Sequence, residues 1–343
     1  MVANNNQDKP VSVRKQQAWS WFSLLATAVL LIIGIWTIAQ RVTLAELINA
    51  FAAASPLYIL LSFATLILTL LVKSWRWQIL LTTPTEKPPF PPVFWAFNLG
   101  AFVNLVLPFM RLGEIARLFA IDWMAGVGKA RALGTLVVEK LLDLIMVGLS
   151  LLLILPSVIL PNFVTNPLPM ITAVSLLSLF SLYILAFQTG WIIKISRLFA
   201  RWLPGKWEDR VMRWLVSGLE GLDALRHKRQ TLVIIGLSAV IALLTVSTPY
   251  LLFLAFHLEL GIVEAALLNI IVILAIAPPS TPGKIGILNG TAALTLFAFG
   301  LRDEAVIVSY STIYYLVIVL PLLAFGAVAV SRTHWKWQKA VGR

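Results

Sequence analysis

The sequence contains no cysteine, only three histidines, and 15 acidic residues against 27 basic ones in 343 positions. Without cysteine there is no disulfide framework, no thiolate metal site and no thiol nucleophile, although the compartment stays open. His227, His257 and His334 stand apart beside hydrophobic stretches, which suits interfacial solvation rather than metal ligation. No Gly-x4-Gly-Lys-Ser/Thr loop offers a cradle for nucleotide phosphates. No Gly/Ser-rich linker divides the chain, so residues 1–343 read as a single membrane domain. Charge of either sign is scarce at 12%, while 59% of residues are hydrophobic and the mean hydropathy is +0.90. That much apolar surface cannot be hidden in one soluble core, which implies a polytopic membrane protein. Several runs reach the roughly 20 residues that cross the hydrocarbon as a helix, and none alternates like a barrel strand. The expected fold class is all-α.

The formal charge of +12 is concentrated beside hydrophobic runs, which points to membrane orientation rather than nucleic acid. Lys9, Arg14 and Lys15 mark the N-terminal tail, and Arg332, Lys336, Lys339 and Arg343 the C-terminal one; both are expected in the cytoplasm. The basic loop from Lys194 to Gln230 belongs on the same side. Pro156 to Met170 is uncharged and His257 to Glu264 lacks Lys and Arg, as outer loops should. Walking between these anchors gives six spans: Trp19–Ala39, Pro56–Leu80, Leu133–Leu155, Ile171–Ile193, Thr231–Phe256 and Ala305–Val330. The first is longer than a signal sequence core and has no small-residue cleavage site after it, so it reads as a retained helix. Leu44, Leu47, Ile48 and Phe51 recur at helical spacing on a segment too short to cross, expected along the outer interface.

Two hydrophobic segments remain, Val93–Ala120 and Ile262–Gly300, and each must begin and end on one side. Each is too short for two full spans and holds a Pro-x4-Gly-x-Ile-x2-Leu motif, Pro108 to Leu118 and Pro278 to Leu288. Broken backbone at membrane depth is tolerated only where protein buries it or where it lines a water-filled cavity. Both segments therefore read as re-entrant helix pairs, one entered from each side. The halves, about 1–155 and 171–330, then match in opposite orientation as an inverted repeat. Eight conventional spans is the simpler alternative. Gly113 and Gly283 follow the proline-broken turns, where a positive φ that favours glycine is expected.

Ionisable residues inside spans are costly to insert, about 2.5 to 3.5 kcal/mol each, and so mark candidate sites. Arg76 follows Lys73 near the end of the second span, to snorkel or to bind lipid phosphate. Arg111, Glu114 and Arg117 recur at i, i+3 after Pro108, where two guanidinium groups around one carboxylate still offer donors to a phosphate. Glu139 and Asp143 sit one turn apart on the third full span and repel unless a cation such as Arg76, Arg111 or Arg117 faces them. A structural ion network and a proton or substrate site both fit this pair. Lys284 stands in the second motif where Glu114 stands in the first, and the two motif tips are expected to approach each other. Tyr310, Tyr314 and Tyr315 read as packing, with a polar cleft as the alternative.

The string Asn104-x3-Pro108-x2-Arg111-x-Gly113-Glu114-x2-Arg117, then Val138-Glu139-Lys140-x2-Asp143, then Pro279-x2-Pro282-Gly283-x2-Gly286, together with Arg76-Trp77, resembles the flippase-like transmembrane domain family. This family takes its name from the membrane region of lysylphosphatidylglycerol synthases. The resemblance runs from the second span to the last, and it implies movement of lipids or lipid-linked intermediates across the bilayer. Some members add a cytoplasmic domain that transfers an amino acid from aminoacyl-tRNA to phosphatidylglycerol. No stretch after Val330 is long enough for it, so the resemblance implies the translocating part and not the synthase. Lys140 stands where Arg is usual, and Asn289 where an acid often follows the second motif.

Two function classes follow. One is a flippase or scramblase for an anionic phospholipid or lipid-linked intermediate, with substrate-binding candidates Arg76, Asn104, Pro108, Arg111, Gly113, Glu114, Arg117, Glu139, Asp143, Pro282, Gly283, Lys284 and Gly286. It needs no cofactor and no catalytic residue. The other is a membrane-embedded transferase on a lipid phosphate, with Glu139 or Asp143 as base or metal ligand. No Asp-x-x-Asp and no His near either motif supports it. Anionic membrane lipids are the expected partners, with a homodimer or a separate transferase partner also open, and the expected location is the plasma membrane (the inner membrane in a two-membrane bacterium). The topology is checked with single cysteines introduced into the cysteine-free chain. A thiol at Asn162 is expected to react with an impermeant reagent in intact cells and one at Gly205 is not; the reverse pattern overturns the assigned sidedness.

Overall fold

The computed structural model describes residues 44–83, 86–107, 112–154, 227–278 and 281–333, with a few isolated helical positions between 173 and 212. The expected spans Trp19–Ala39 and Ile171–Ile193, and most of the basic loop, lie outside the described residues. The elements are α1 (Leu44–Ala53), α2 (Pro56–Leu81), α3 (Phe90–Val106), α4 (Leu112–Ala125), α5 (Lys129–Ile154), α6 (Lys228–Ala255), α7 (Ile262–Ile276), a single 3₁₀ turn (Pro282–Lys284), α8 (Ile287–Ala298) and α9 (Glu304–Thr333). All are helical, as the apolar runs and the missing strand alternation imply. Helices α2, α6 and α9 are long and apolar enough to cross a membrane. Helix α5, at 26 residues, has the length but carries charges near its middle.

Local chemistry sets the helix starts. Pro56 opens α2 after Ser55, where its missing N–H costs nothing. The Glu264 carboxylate accepts from the Gly261 N–H at 2.9 Å and closes the first turn of α7. Asn289 does the same for α8, accepting from the Gly286 N–H at 2.9 Å. The residue that departs from the family pattern is thus a helix cap, a task its neutral amide performs without a carboxylate.

Helices α2 and α6 form the centre and run antiparallel. The Ser55 N–H donates to the Ala255 carbonyl at 2.8 Å, the Thr65 and Thr248 hydroxyls meet at 2.9 Å, and the Arg76 Nη1 donates to the Ser238 hydroxyl at 3.0 Å. Val72, Leu237 and Ile241 fill the space between them. Around that pair the contacts recur. Helix α3 packs on α2 and α4 as α7 packs on α6 and α8; α4 meets α5 as α8 meets α9. Helix α5 reaches α6 and α7 as α9 reaches α2 and α3, and α2 with α5 is matched by α6 with α9. Exchanging α2 with α6, α3 with α7, α4 with α8 and α5 with α9 leaves this set unchanged. The four elements of the broken segments have 17, 14, 15 and 12 residues. At 1.5 Å per residue each is between about 18 and 26 Å long, under the roughly 30 Å of the hydrocarbon.

Glycine brings backbones together where the expectation called for a turn. Gly283 has φ 67° as expected, with Lys284 at φ 56° and Gly286 at φ 83° beside it. Gly113 does not; it sits inside the first turn of α4, and the expectation of a positive φ there is corrected. A Cβ at Gly113 would overlap the Gly100 carbonyl and the Asn104 side chain. The requirement is for two helices at backbone contact, as small residues provide in membranes. Gly326 serves α9 in the same way, because a Cβ there would overlap the Phe102 ring. Gly283→Ala is expected to cost about 1 to 2 kcal/mol for a left-handed L-residue, and Gly113→Ala more, because α3 and α4 must separate. Melting temperatures of the purified variants check that order; equal or reversed losses refute it.

Candidate functional site

Arg76 and Trp77 are adjacent on α2, and the helical turn aims them at different neighbours. Arg76, 1% exposed, places Nη2 at 2.6 Å from Asp143 Oδ1 on α5 and Nη1 on Ser238 of α6. Trp77 is fully buried, donates from Nε1 to the Thr135 hydroxyl on α5 at 3.0 Å, and lies under the Arg117 guanidinium with its ring centre 3.6 Å away. Phe97 of α3 lies 4.6 Å from the same guanidinium. Arg117 meets Glu139 in a two-pronged pair at 3.2 and 2.5 Å, with both side chains buried. Lys140 completes the layer by pairing with Glu114 at 3.2 Å.

These three ion pairs tie α5 to α4 and α2, and Lys129 adds a fourth to Asp122 of α4 at 3.6 Å. The repulsion expected between Glu139 and Asp143 is relieved by giving each carboxylate its own arginine. Lys73, one turn before Arg76, lies in electrostatic reach of both acids. The Nε atoms of Arg76 and Arg117 are buried without a hydrogen-bond partner. The expected placing of Arg117 around Glu114 is corrected: Arg117 turns to Glu139, while Glu114 pairs with Lys140. Helix α5 lies against that face of α4, and the Glu139 carboxylate matches the planar fork of a guanidinium better than the local i, i+3 geometry allows. Pro108 and Arg111 lie outside the described residues.

Asn104 and Gly113 lock the α3–α4 hairpin. The Asn104 Oδ1 accepts from the Gly113 N–H at 2.8 Å, satisfying one of the unpaired donors at the start of α4. The second motif forms a separate cluster. The Tyr315 hydroxyl donates to the Gly283 carbonyl at 3.1 Å, and the Thr281 hydroxyl to the Ile285 carbonyl at 2.6 Å. The Pro282–Lys284 turn packs on α3. Helix α3 runs along α9 with Trp95 beside Arg332 and Phe102 beside Gly326, so its Asn104 end heads towards Tyr315 and the turn. Tyr310 and Tyr314 stack with centres 6.1 Å apart, and Tyr310 also stacks on Phe253 at 5.4 Å and donates to the Pro249 carbonyl at 3.1 Å. Sequence reasoning missed Ser238, Thr135, Lys140 and Tyr315 as partners. Lys140, inside the Glu139–Asp143 motif, and Tyr315, in the tyrosine group of the last span, carried a signal; Ser238 and Thr135 carried none.

Described elements that are all helical, three of them long and apolar enough to cross a membrane, belong to a membrane-embedded protein. Residues 23–326 match the family described as "Lysylphosphatidylglycerol synthase TM region", and the chain belongs to that family. It is similar to a UPF0104 membrane protein of Methanocaldococcus jannaschii, 23% identical over 83% of this chain and 84% of the relative. A second UPF0104 membrane protein, from Methanothermobacter thermautotrophicus, is 22% identical over 88% of this chain and 94% of the relative. No solved structure matches.

Removing one partner of a buried pair strands the other, at about 3 to 5 kcal/mol, whereas an exposed pair is worth at most about 1 kcal/mol. Glu139→Ala is accordingly expected to lower the yield and melting temperature sharply, and a second change, Arg117→Met, to restore part of the loss. Lys140→Met should barely move either reading. A Glu139→Ala protein as stable as the parent would remove the stabilising role of the pair.

Proposed function

We propose that the protein translocates an anionic phospholipid or lipid-linked intermediate across the membrane, as a flippase or scramblase, through a polar cavity between two re-entrant motifs. In this reading the chain has six full spans and two oppositely oriented re-entrant helix pairs, α3–α4 and α7–α8, with both termini cytoplasmic in the plasma membrane. The observation that carries the reading is the exchange pattern of helix contacts, with α2 and α6 antiparallel at its centre. An inverted repeat produces that pattern, and transporters built this way place their site where broken helices of the two halves meet. The length of the four short helices fits re-entry, and the packing of the Pro282–Lys284 turn on α3 fits a site between the motifs.

The ion layer supports a division of labour. Arg117 engages both Glu139 oxygens in a buried, two-pronged pair, so the two residues position α4 and α5 rather than hold a headgroup in this reading. Arg111, three residues before Glu114, is the phosphate ligand in this reading. The transferase alternative asks Glu139 to act as base or metal ligand, and its two oxygens are both engaged by Arg117, which favours transport. Movement is downhill or coupled to an ion gradient. Liposomes containing the purified protein and headgroup-matched fluorescent lipids test it. Wild-type protein should move phosphatidylglycerol between leaflets, and Arg111→Ala should slow it several-fold more than it slows phosphatidylcholine. Absence of protein-dependent movement for either lipid overturns the proposal, and equal slowing of both removes Arg111 from the site.

A further inference from the structure

A groove of about 460 Å³ opens between α4 and α5, lined by Ile115, Leu118, Leu133, Leu136, Val137 and Leu141, with Glu114 and Lys140 also in its wall. Its surroundings face outward: Ile115 is 49% exposed, and Leu133, Val137 and Leu144 are each more than 40% exposed. Lys140 shares this face of α5, three residues after Val137 and four before Leu144, with its side chain 49% exposed. It lies seven residues into the expected span Leu133–Leu155, about 10 Å along the helix. An ammonium group on an exposed apolar face at that depth is expensive unless it has a partner. Glu114 supplies one oxygen at 3.2 Å, and an ammonium has three donors. Two remain for another anion.

We infer that this groove is a lateral lipid-binding site, in which one acyl chain of an anionic phospholipid lies along the α4–α5 cleft while Lys140 holds the phosphate beside Glu114. The occupant follows from the chemistry of the walls. An apolar channel open to an apolar face takes a hydrocarbon chain, and the Lys140 ammonium at its edge, with donors beyond the one on Glu114, takes a negative headgroup. Glu114 moderates the attraction by neutralising Lys140 when no lipid is present. The inference deepens the translocase reading by naming where substrate enters, between the first motif and α5.

The test uses the full chain with one introduced cysteine, Val137→Cys, labelled with bimane and reconstituted in phosphatidylcholine vesicles. Acyl-brominated phosphatidylglycerol or acyl-brominated phosphatidylcholine is then titrated in, and quenching reports a chain inside the groove. Half-quenching is expected at a several-fold lower fraction of brominated phosphatidylglycerol. Lys140→Gln should erase that preference, whereas Glu114→Gln should keep or widen it. A pair that merely fastens α4 to α5 would respond alike to both substitutions. Equal quenching by the two lipids, or loss of preference in both variants, overturns the site. Leaflet-exchange assays on the same vesicles separate it from the wider reading. Preference without exchange keeps the groove and removes transport; exchange without preference does the reverse.

Discussion

The pairing of Arg117 with Glu139 is the interaction on which the described charged layer depends. A carboxylate in the middle of a membrane helix is tolerated when its partner is planar, two-pronged and itself shielded, and Trp77 and Phe97 provide that shielding from two sides. Because α2, α3, α4 and α5 each contribute one of these four side chains, the pair fixes the positions of four helices at once. The Arg76–Asp143 pair and its hydrogen bond to Ser238 then extend the same layer to α6. Small residues do the rest, by letting α3 and α4 approach at Gly100 and Gly113 where no side chain could fit.

Much of this organisation was legible in the sequence. Helix boundaries at Pro56, Lys228 and Glu304 fall within a few residues of the expected spans, because long apolar runs bounded by charge leave little freedom. The breaks at the two motifs were legible too, since proline beside glycine breaks or kinks a helix, although Pro249 and Pro321 are carried inside α6 and α9. The matching of Arg76, Arg117, Glu139 and Asp143 was readable only as a set. Sequence spacing showed that cations had to meet the acidic pair, but which arginine met which acid depends on how α4 leans on α5, and that is set by packing far along the chain. Gly113 shows the limit most plainly. A glycine after a proline-broken turn looks like a residue needed for its backbone angles, and nothing local reveals a neighbouring helix occupying the space of its missing side chain.

The two halves share a contact pattern without sharing chemistry. The charged layer belongs to α2, α4 and α5, whereas the corresponding region of the second half is built on Phe253, Tyr310 and Tyr314 stacked against one another. A hydroxyl such as that of Tyr315 can hold a turn through a single hydrogen bond without any counter-ion. The fold therefore constrains where helices lie and leaves the means of holding them free to differ.

That difference bears on energy degeneracy. A molecule made of two identical inverted halves would have two conformations, one open to each side, related by symmetry and equal in free energy. In a translocase of the proposed kind, ion pairs with fixed geometry in one half and stacked rings in the other would lift the degeneracy, since the first must break discrete bonds to move and the second can slide. On that proposal the resting conformation would be a property of side-chain chemistry, and an asymmetric membrane would be met by a protein already biased towards one of its faces.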